Sequence, residues 1–288
     1  MDFLLILVFL SFLVCGAVFG NGQNGETSFD ENYKVIWGGD HVVYLKQGKE
    51  IQLSMDKASG SGFGSKMNYG SGFFHLKIKV PDRDSAGVVT AYYLTSGGDR
   101  HDEVDFEFLG NREGKPYTLQ TNVFADGKGN REQRIRLWFD PTADFHDYKL
   151  LWNPHQLVFY VDEIPIRVYK NKSNIGVAYP SKAMKIEATL WDGESWATDG
   201  GKAKTNWSFA PFKAHFQGFH VNGCHLLPHD NDINDCGSHK YWWNHQQFWQ
   251  LDSARQAAYQ NVKTKYMTYD YCSDHQRYPV PPLECSYN

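Results

Sequence analysis

The residues best suited to chemistry stand close together in the segment His-Asp-Glu-Val-Asp-Phe-Glu-Phe at 101–108. Successive side chains of a β-strand point to opposite faces of the sheet. A strand here would therefore place the carboxylates of Glu103, Asp105 and Glu107 on one face. The other face would carry the apolar side chains of Val104, Phe106 and Phe108. Because like charges at this spacing repel and raise one another's pKa, folding alone does not explain the three acids.

Paired carboxylates of this kind are suited to glycoside hydrolysis. One carboxyl group protonates the leaving oxygen, and a second attacks the sugar or activates water. Glu103 and Glu107 can supply the pair, while Asp105 can hydrogen-bond the nucleophile and keep the two glutamates in different protonation states. Retaining enzymes need carboxyl groups about 5–5.5 Å apart, whereas four residues of flat strand span about 13 Å. We therefore expect a curved strand whose two glutamates lean into one cleft.

Three other interpretations of the acidic face are a solvated surface strand, a calcium site and a transition-metal site at His101 and Glu103. A stiff strand does not wrap a calcium ion as a loop does. No second histidine stands at ligand spacing from His101. We therefore predict a catalytic site with no metal ion and no other cofactor.

Residues suited to sugar binding occur elsewhere in the chain. Gln120 and Asn122 share one face of a predicted neighbouring strand, and their amides can both donate and accept hydrogen bonds. Trp191 and Trp196 flank Asp192-Gly193, and indole rings pack well on sugar faces. Core packing is the alternative role for each tryptophan. Beside the acidic strand, these residues favour a polysaccharide cleft.

The elements that must position these residues have the pattern of strands. Alternating or apolar segments are separated by turn sequences such as Asp126-Gly127 and Asn153-Pro154. Strands are predicted at 72–80, 86–94, 117–124, 135–138, 156–161, 164–169 and 184–191. Asp162-Glu163 between two of them predicts a hairpin. Together with the acidic strand, they indicate two antiparallel sheets in a sandwich or jelly roll.

The composition agrees with an all-β protein that binds neither nucleic acid nor an anionic membrane. The chain has 288 residues, of which 16 % are aromatic and 26 are glycine, and its net charge is −4. The aromatic content excludes a disordered or collagen-like chain. The net negative charge offers no basic field to nucleic acid or to an anionic membrane.

The N-terminus predicts a secreted protein. Residues 3–14 form an apolar run without charge, too short to span a membrane, and predict a signal peptide at 1–20. After its removal we expect no membrane association. We expect a jelly-roll catalytic domain at 21–220 and a C-terminal extension at 221–288, with a helix at 252–265.

Cysteine usage is consistent with secretion. Once Cys15 leaves with the signal peptide, the remaining cysteines are Cys224, Cys236, Cys272 and Cys285. An even number in a secreted chain indicates two disulfides with three possible connectivities. We favour pairing of neighbours, which closes two short loops. A zinc site is the alternative, although the spacings are not Cys-x-x-Cys. Sequons at Asn171 and Asn206 predict glycosylation where they are exposed.

The acidic segment also resembles a known family. HDEVDFEFLG at 101–110 is similar to the active-site signature of the plant xyloglucan endotransglucosylase/hydrolases, in glycoside hydrolase family 16. The resemblance extends over most of the chain as far as the C-terminus. Further similar segments are QTNVF (120–124), GNREQR (129–134), WFDPT (138–142), FHDYKLLW (145–152), IPIRVYKN (164–171), SWATDGG (195–201), TNW (205–207), APF (210–212) and YCSDHQRYPVPPLEC (271–285).

This resemblance implies a β-jelly-roll sandwich of two curved antiparallel sheets, with a C-terminal extension containing a short helix and two disulfides between neighbouring cysteines. By motif position it implies that Glu103 is the nucleophile, Asp105 the assisting carboxylate and Glu107 the acid/base. The candidate glucan-binding positions are Gln120, Asn122, Asn130, Arg131, Glu132, Ser195, Trp196, Gly200 and Arg277.

The chain departs from the family pattern at two places. Ser195 stands where many relatives have Asp or Asn, so contacts there are expected to differ. Many relatives carry a sequon after the acidic motif, whereas Asn111-Arg-Glu113 is not one. We therefore expect no glycan at Asn111.

The function expected from the residues and the resemblance is that of a secreted, monomeric enzyme of the cell wall or apoplast. It would cut xyloglucan by a retaining double displacement and rejoin the chain to another glucan or to water. Cellulose is a further candidate acceptor. The alternatives are a predominantly hydrolytic endoglucanase and a non-catalytic jelly-roll lectin. A lectin would have no need of Glu103 and Glu107.

Overall fold

The computed structural model describes residues 27–227 and 232–287, and the predicted signal peptide at 1–20 lies outside them. The α-helices in this part of the chain are α1 (Phe29–Asn32) and α2 (Ser253–Lys265), and short 3-10 turns lie between the strands and after the last one. The strands are β1 (Tyr33–Trp37), β2 (Val42–Leu45), β3 (Glu50–Met55), β4 (Ser61–Ser65), β5 (Asn68–Lys79), β6 (Val88–Thr95), β7 (Glu103–Leu109), β8 (Thr118–Phe124), β9 (Gln133–Arg136), β10 (His146–Trp152), β11 (Gln156–Val161), β12 (Ile164–Lys170), β13 (Lys185–Asp192), β14 (Phe212–Gln217), β15 (Asn222–Leu226) and β16 (Met267–Asp270).

The strands form two antiparallel sheets. The first sheet has the order β1-β4-β13-β6-β7-β8-β9-β16. The second has the order β12-β11-β10-β5-β14-β3-β2, and β15 pairs with β5 beside it. The predicted fold class is confirmed: an all-β sandwich of two antiparallel sheets, with a helix and two disulfides in the C-terminal region.

Apolar side chains from the two sheets meet in a common core. Phe106 of β7 contacts Phe159 of β11 with 5.1 Å between ring centroids. Phe108 of β7 contacts Tyr148 of β10 at 4.6 Å, and all four rings are buried. Full burial of one such side chain stabilises the fold by about 1.5–3 kcal/mol. The core therefore fixes which face of β7 turns outward.

Local signals explain where several elements begin and end. The Asp252 side chain accepts a hydrogen bond from the Arg255 N–H at 2.8 Å and so caps α2. Asp162, between β11 and β12, has a φ of 53°, a left-handed turn conformation that aspartate tolerates. The strand predicted at 135–138 is instead Gln133–Arg136. Trp138 lies beyond the end of this strand and packs on Tyr266, with 5.4 Å between the ring centroids.

The C-terminal region contributes a strand to each sheet. After residue 220, β15 pairs with β5 in the second sheet and β16 pairs with β9 at the edge of the first. Helix α2 packs against β12. Disulfides join Cys224 to Cys236 and Cys272 to Cys285, which is the pairing of neighbours. The predicted division into a catalytic domain that ends at residue 220 and an extension that begins at residue 221 stays a prediction. Among the described residues, no helix combines the length and apolar character that crossing a membrane requires.

Candidate active site

The candidate site is built on β7, at the centre of the first sheet. Val104, Phe106 and Phe108 are buried in the core, so the alternation predicted for this strand is confirmed. The carboxylates of Glu103, Asp105 and Glu107 lie on the opposite face and border one cleft of about 440 Å³. The other residues bordering this cleft are Ala91, Tyr93, Gln120, Asn122, Phe124, Glu132, Arg134, Trp191 and Trp196.

Strand register brings the predicted neighbours to the acids. Glu107 lies opposite Gln120 of β8, and Asp105 lies opposite Asn122. On the other side of β7, Glu107 lies opposite Ala91 of β6, whose small side chain leaves space above the sheet.

The same register extends across the whole first sheet. One residue from each strand is aligned with its neighbours to form what we call the cross-strand row. In order from β1 to β16 its members are Trp37, Gly62, Thr189, Ala91, Glu107, Gln120, Arg134 and Tyr269. Glu107 of the acidic strand is a member of this row. Residues of the first and last strands of the sheet, Trp37 and Tyr269, are therefore aligned with the site.

Glu107 is held by hydrogen bonds that run along the sheet. The Gln120 amide nitrogen Nε2 donates to Glu107 Oε2 at 2.6 Å. Arg134 Nε donates to Gln120 Oε1 at 2.7 Å. The Arg134 guanidinium in turn lies over the ring of Tyr269, 5.3 Å from its centroid. The side chain of Glu107 is therefore oriented by residues of three further strands.

The site raises the pKa of each of its three carboxyl groups. Burial is the main cause at Asp105, with Glu103 and Glu107 adding repulsion, and the buried cation of Arg167 acting in the opposite direction. Burial also raises the pKa of Glu107, against the hydrogen bond from Gln120. A carboxyl group with a raised pKa keeps its proton to higher pH, as a general acid must.

Glu103 has neighbours that favour its charged form. Burial raises its pKa, while a hydrogen bond from Thr95 and the charge of His101 act in the opposite direction. His101 Nε2 lies 3.9 Å from Glu103 Oε1, and its Nδ1 lies 2.8 Å from the Gly98 carbonyl oxygen. The histidine is thus held beside the acid at the end of β7.

Asn122 is fixed by its carbonyl end. Its Oδ1 accepts hydrogen bonds from the backbone N–H groups of Val123 at 2.9 Å and Arg131 at 3.0 Å. Its NH₂ group is therefore the end available to Asp105 or to a ligand. Trp191 and Trp196 border the same cleft, and their ring centroids are 6.1 Å apart.

The predicted loop residues have different surroundings. Arg277 of the C-terminal region donates to Glu132 Oε2 at 2.7 Å and to Asn130 Oδ1 at 2.6 Å, so these three side chains meet beside the cleft. Arg131 points elsewhere, since its Nε donates to Glu284 Oε1 at 2.7 Å in a largely buried ion pair. The binding role implied for each stays a prediction.

Ser195 and Gly200 lie exposed in the loop after β13 and do not border the 440 Å³ cavity. Gly201 explains part of this loop's shape: its φ is 83°, and a Cβ there would lie 2.1 Å from the Ser195 carbonyl oxygen. A side chain at this position would therefore force the loop to move.

The two sequon asparagines are partly exposed in loops. Asn171 Oδ1 accepts from the Ser173 hydroxyl and Asn206 Oδ1 from the Ser208 hydroxyl, each at 2.8 Å. Glycosylation of either stays a prediction.

Sequence reasoning missed Tyr93, Glu187 and Arg134. The Tyr93 hydroxyl donates to Glu187 Oε2 at 2.8 Å, and Tyr93 and Arg134 both border the cleft. The signal for Arg134 was its spacing of two residues from Glu132, which places both on the same side of the backbone. Within the described ranges, no group of three or more His, Cys, Asp or Glu side chains has the arrangement of a metal site.

A second cavity, of about 450 Å³, lies beside the loop that follows β7. Arg83, Tyr117 and Phe139 are among its lining residues. None of the predicted site residues borders it, so it is separate from the acidic cleft.

Comparisons with known proteins agree with this fold. The family profile described as glycosyl hydrolases family 16 matches residues 29–209. That described as the xyloglucan endo-transglycosylase C-terminus matches residues 237–285. Xyloglucan endotransglucosylase/hydrolase protein 2 of Arabidopsis thaliana is 60 % identical over 98 % of this chain and 97 % of its own length. Xyloglucan endotransglucosylase protein 2 of Diospyros kaki is 50 % identical, over 90 % and 88 % of the two chains.

Two solved structures share the fold. The Bacillus licheniformis β-glucanase has a TM-score of 0.53 and 23 % identity, covering 69 % of this chain and 92 % of its own. The apo Crh5 transglycosylase has a TM-score of 0.54 and 22 % identity, covering 68 % and 82 %.

The family profiles and the similar relatives define a glycosyl hydrolase or transferase, here on a β-sandwich. The chain belongs to glycosyl hydrolase family 16 and, within it, to the xyloglucan endotransglucosylase/hydrolases. The resemblance noted in the sequence is thereby confirmed.

Proposed function

We propose that the protein is a retaining endotransglycosylase that cuts the β-1,4-glucan backbone of xyloglucan and joins the cut chain to another glucan or to water. The observation that carries this proposal is the cleft in which Glu103, Asp105 and Glu107 share one face of β7, with Glu107 held by Gln120. The names of the relatives support xyloglucan as the substrate.

In the first step, Glu107 gives its proton to the glycosidic oxygen while the Glu103 carboxylate attacks the anomeric carbon. The bond to the leaving chain breaks, and a glycosyl ester forms on Glu103. Asp105 lies next to Glu103 on the same face and keeps its proton because burial raises its pKa. It can therefore donate a hydrogen bond to the charged Glu103. The carboxyl separation of about 5–5.5 Å that this mechanism requires stays a prediction.

In the second step, the charged Glu107 takes a proton from the hydroxyl group of an acceptor glucan. The acceptor oxygen attacks the anomeric carbon, and Glu103 leaves as a carboxylate, so the original anomeric configuration is retained. Water in place of the acceptor gives hydrolysis. Trp191, Trp196 and the amides on β8 offer stacking and hydrogen bonds to sugars along the cleft.

We also propose that the protein acts outside the cell, in the wall or apoplast. The two disulfides in the C-terminal region support an oxidising compartment. Detection of the mature N-terminus after expression in plant cells, together with recovery from the wall fraction, would test this proposal.

The decisive experiment incubates the protein with long xyloglucan and a fluorescent xyloglucan oligosaccharide, followed by sizing of the products. Transfer is expected to move label into long chains and to spread chain sizes both upward and downward. Products that only shrink would indicate a predominant hydrolase. Binding of glucan without any turnover would favour a lectin and overturn the proposal. A labelled cellulose oligosaccharide in a parallel reaction tests whether the acceptor can lack side chains.

A further inference from the structure

The amide of Gln120 lies between an obligatory donor and the catalytic acid. Arg134 Nε is 2.7 Å from Gln120 Oε1, and an arginine side chain has only donors. Gln120 must therefore turn its oxygen to Arg134 and its NH₂ group to Glu107. The 2.6 Å contact with Glu107 Oε2 is then a bond that the amide nitrogen donates.

This orientation determines which oxygen of Glu107 can carry the acidic proton. Oε2 accepts a hydrogen bond, and in a protonated carboxyl group the carbonyl oxygen is a better acceptor than the hydroxyl oxygen. The proton is consequently placed on Oε1. If the Gln120 amide turned over, its oxygen would instead accept the proton of Glu107, which would hold that proton away from a leaving group.

We propose that Arg134 is a positioning residue that, held by Tyr269 of β16, fixes the Gln120 amide and thereby places the proton of Glu107 on Oε1. The proposal rests on the acid role of Glu107 in the proposed function. It gives the C-terminal strand β16 a part in proton transfer, through Tyr269, although neither Arg134 nor Tyr269 is expected to exchange a proton with substrate.

Other charged and titratable groups also surround Glu107. They are Glu103 and Asp105 of its own strand, Tyr93 of β6, Glu132 in the loop before β9, and Arg134 of β9. Arg134 is the cation among them, so it favours the charged form of Glu107. Its removal, and a turned amide, would both raise the pKa of Glu107.

The test compares Arg134→Met with Arg136→Met, which changes an exposed arginine two residues further along β9. Arg134→Met is expected to lower kcat/KM on xyloglucan by about 10–100-fold, a partial loss that reaches the lower end of the roughly 10²–10⁴-fold that general acid catalysis contributes. It should also move the basic limb of the pH profile of kcat/KM, where activity falls as Glu107 loses its proton, to higher pH. Arg136→Met should do neither. A loss of activity without a shift of the limb, as a simple substrate contact would give, would overturn the proposal.

A double-variant cycle asks whether Arg134 acts through Gln120. If it does, Arg134→Met should add little to the loss already caused by Gln120→Leu. Losses that multiply would contradict the relay. Thermal melts of all variants show whether each is folded.

Tyr269 provides a milder variant in case Arg134→Met does not fold. Tyr269→Leu removes the ring beneath the guanidinium and should shift the limb in the same direction, whereas Tyr269→Phe keeps the ring and should not. Equal pH profiles for Tyr269→Leu and Tyr269→Phe would count against the proposal. Failure of the wild-type protein and of Arg136→Met to turn over xyloglucan would instead refute the proposed function.

Discussion

At the scale of single residues, the local pattern of β7 was enough to predict its two faces. Every second residue is an acid and those between are apolar, and a strand turns these two sets to opposite sides. The contacts of Arg131 and Arg134 could not be found in this way. Both depend on the C-terminal region, where Glu284 and Tyr269 lie far away in sequence.

The two glutamates are expected to respond differently to replacement by alanine. Glu103→Ala should lower kcat by about 10³-fold or more while glucan binding persists. Added azide should restore turnover of a β-configured oligosaccharide fluoride: azide attacks the anomeric carbon from the vacated side as fluoride leaves, which gives a glycosyl azide of inverted configuration. Glu107→Ala with azide should give the retained configuration, because Glu103 still forms the ester. NMR of the glycosyl azides distinguishes them, and the same anomer from both variants would contradict the roles.

Asp105 is expected to reduce the stability of the fold. Burial raises its pKa in the folded protein, so stability is lost as the pH rises from the unfolded pKa through the folded one. Asp105→Asn should therefore raise the free energy of unfolding at pH 7 by about 1 kcal/mol or more and impair turnover. This gain should vanish near pH 3, below the ordinary pKa of about 3.9.

Denaturant unfolding at both pH values measures this effect of Asp105→Asn. Asp99→Asn, at an exposed position before the acidic segment, is the control and should leave the stability curve unchanged. A gain for Asp105→Asn that is the same at both pH values would show that desolvation of the charge is not its cause.

At the scale of elements, a buried cation joins the sheets beneath the site. The Arg167 guanidinium of β12 donates to the carbonyl oxygen of Thr121 at 2.8 Å and of Arg131 at 2.6 Å. Since β12 belongs to the second sheet and β8 to the first, Arg167 fixes the loop before β9 against the core. Its place in a mostly apolar strand could not reveal these partners, because a contact between two sheets leaves no local pattern in the sequence.

The two disulfides offer a matched comparison at this scale. Their cysteines are 12 and 13 residues apart, and closing a loop of about 15 residues stabilises a fold by about 3 kcal/mol. Replacing either pair by serine should therefore lower Tm similarly. Only Cys272→Ser with Cys285→Ser should also raise KM for xyloglucan, because this loop carries Arg277, which contacts Glu132 and Asn130. Equal changes in KM for the two double variants would argue against a role of this loop in binding.

At the scale of the whole molecule, the strands of the sandwich come from both ends of the described chain. The sequence predicted many strands and a late helix, but not that β15 and β16 would complete the two sheets. Both strands are short, and their pairing partners, β5 and β9, lie more than a hundred residues earlier. Pairing over such a distance depends on the packed fold and not on local spacing.

A chain that ends at residue 220 is therefore expected not to fold stably. It would lack β15 and β16, which would leave β9 as an exposed edge and uncover part of β5. Circular dichroism melting and size-exclusion chromatography against the full chain measure this. A cooperative melt at the Tm of the full chain would show that the segment at 21–220 is an independent domain.

The alignment of Tyr269 with Glu107 also has a consequence for biosynthesis. The cross-strand row joins segments that leave the ribosome far apart in time, and contacts between distant segments are slow to form. The support for Glu107 is therefore assembled only after Tyr269 has been translated. A nascent chain would carry its acidic motif for most of synthesis without the neighbours that orient it.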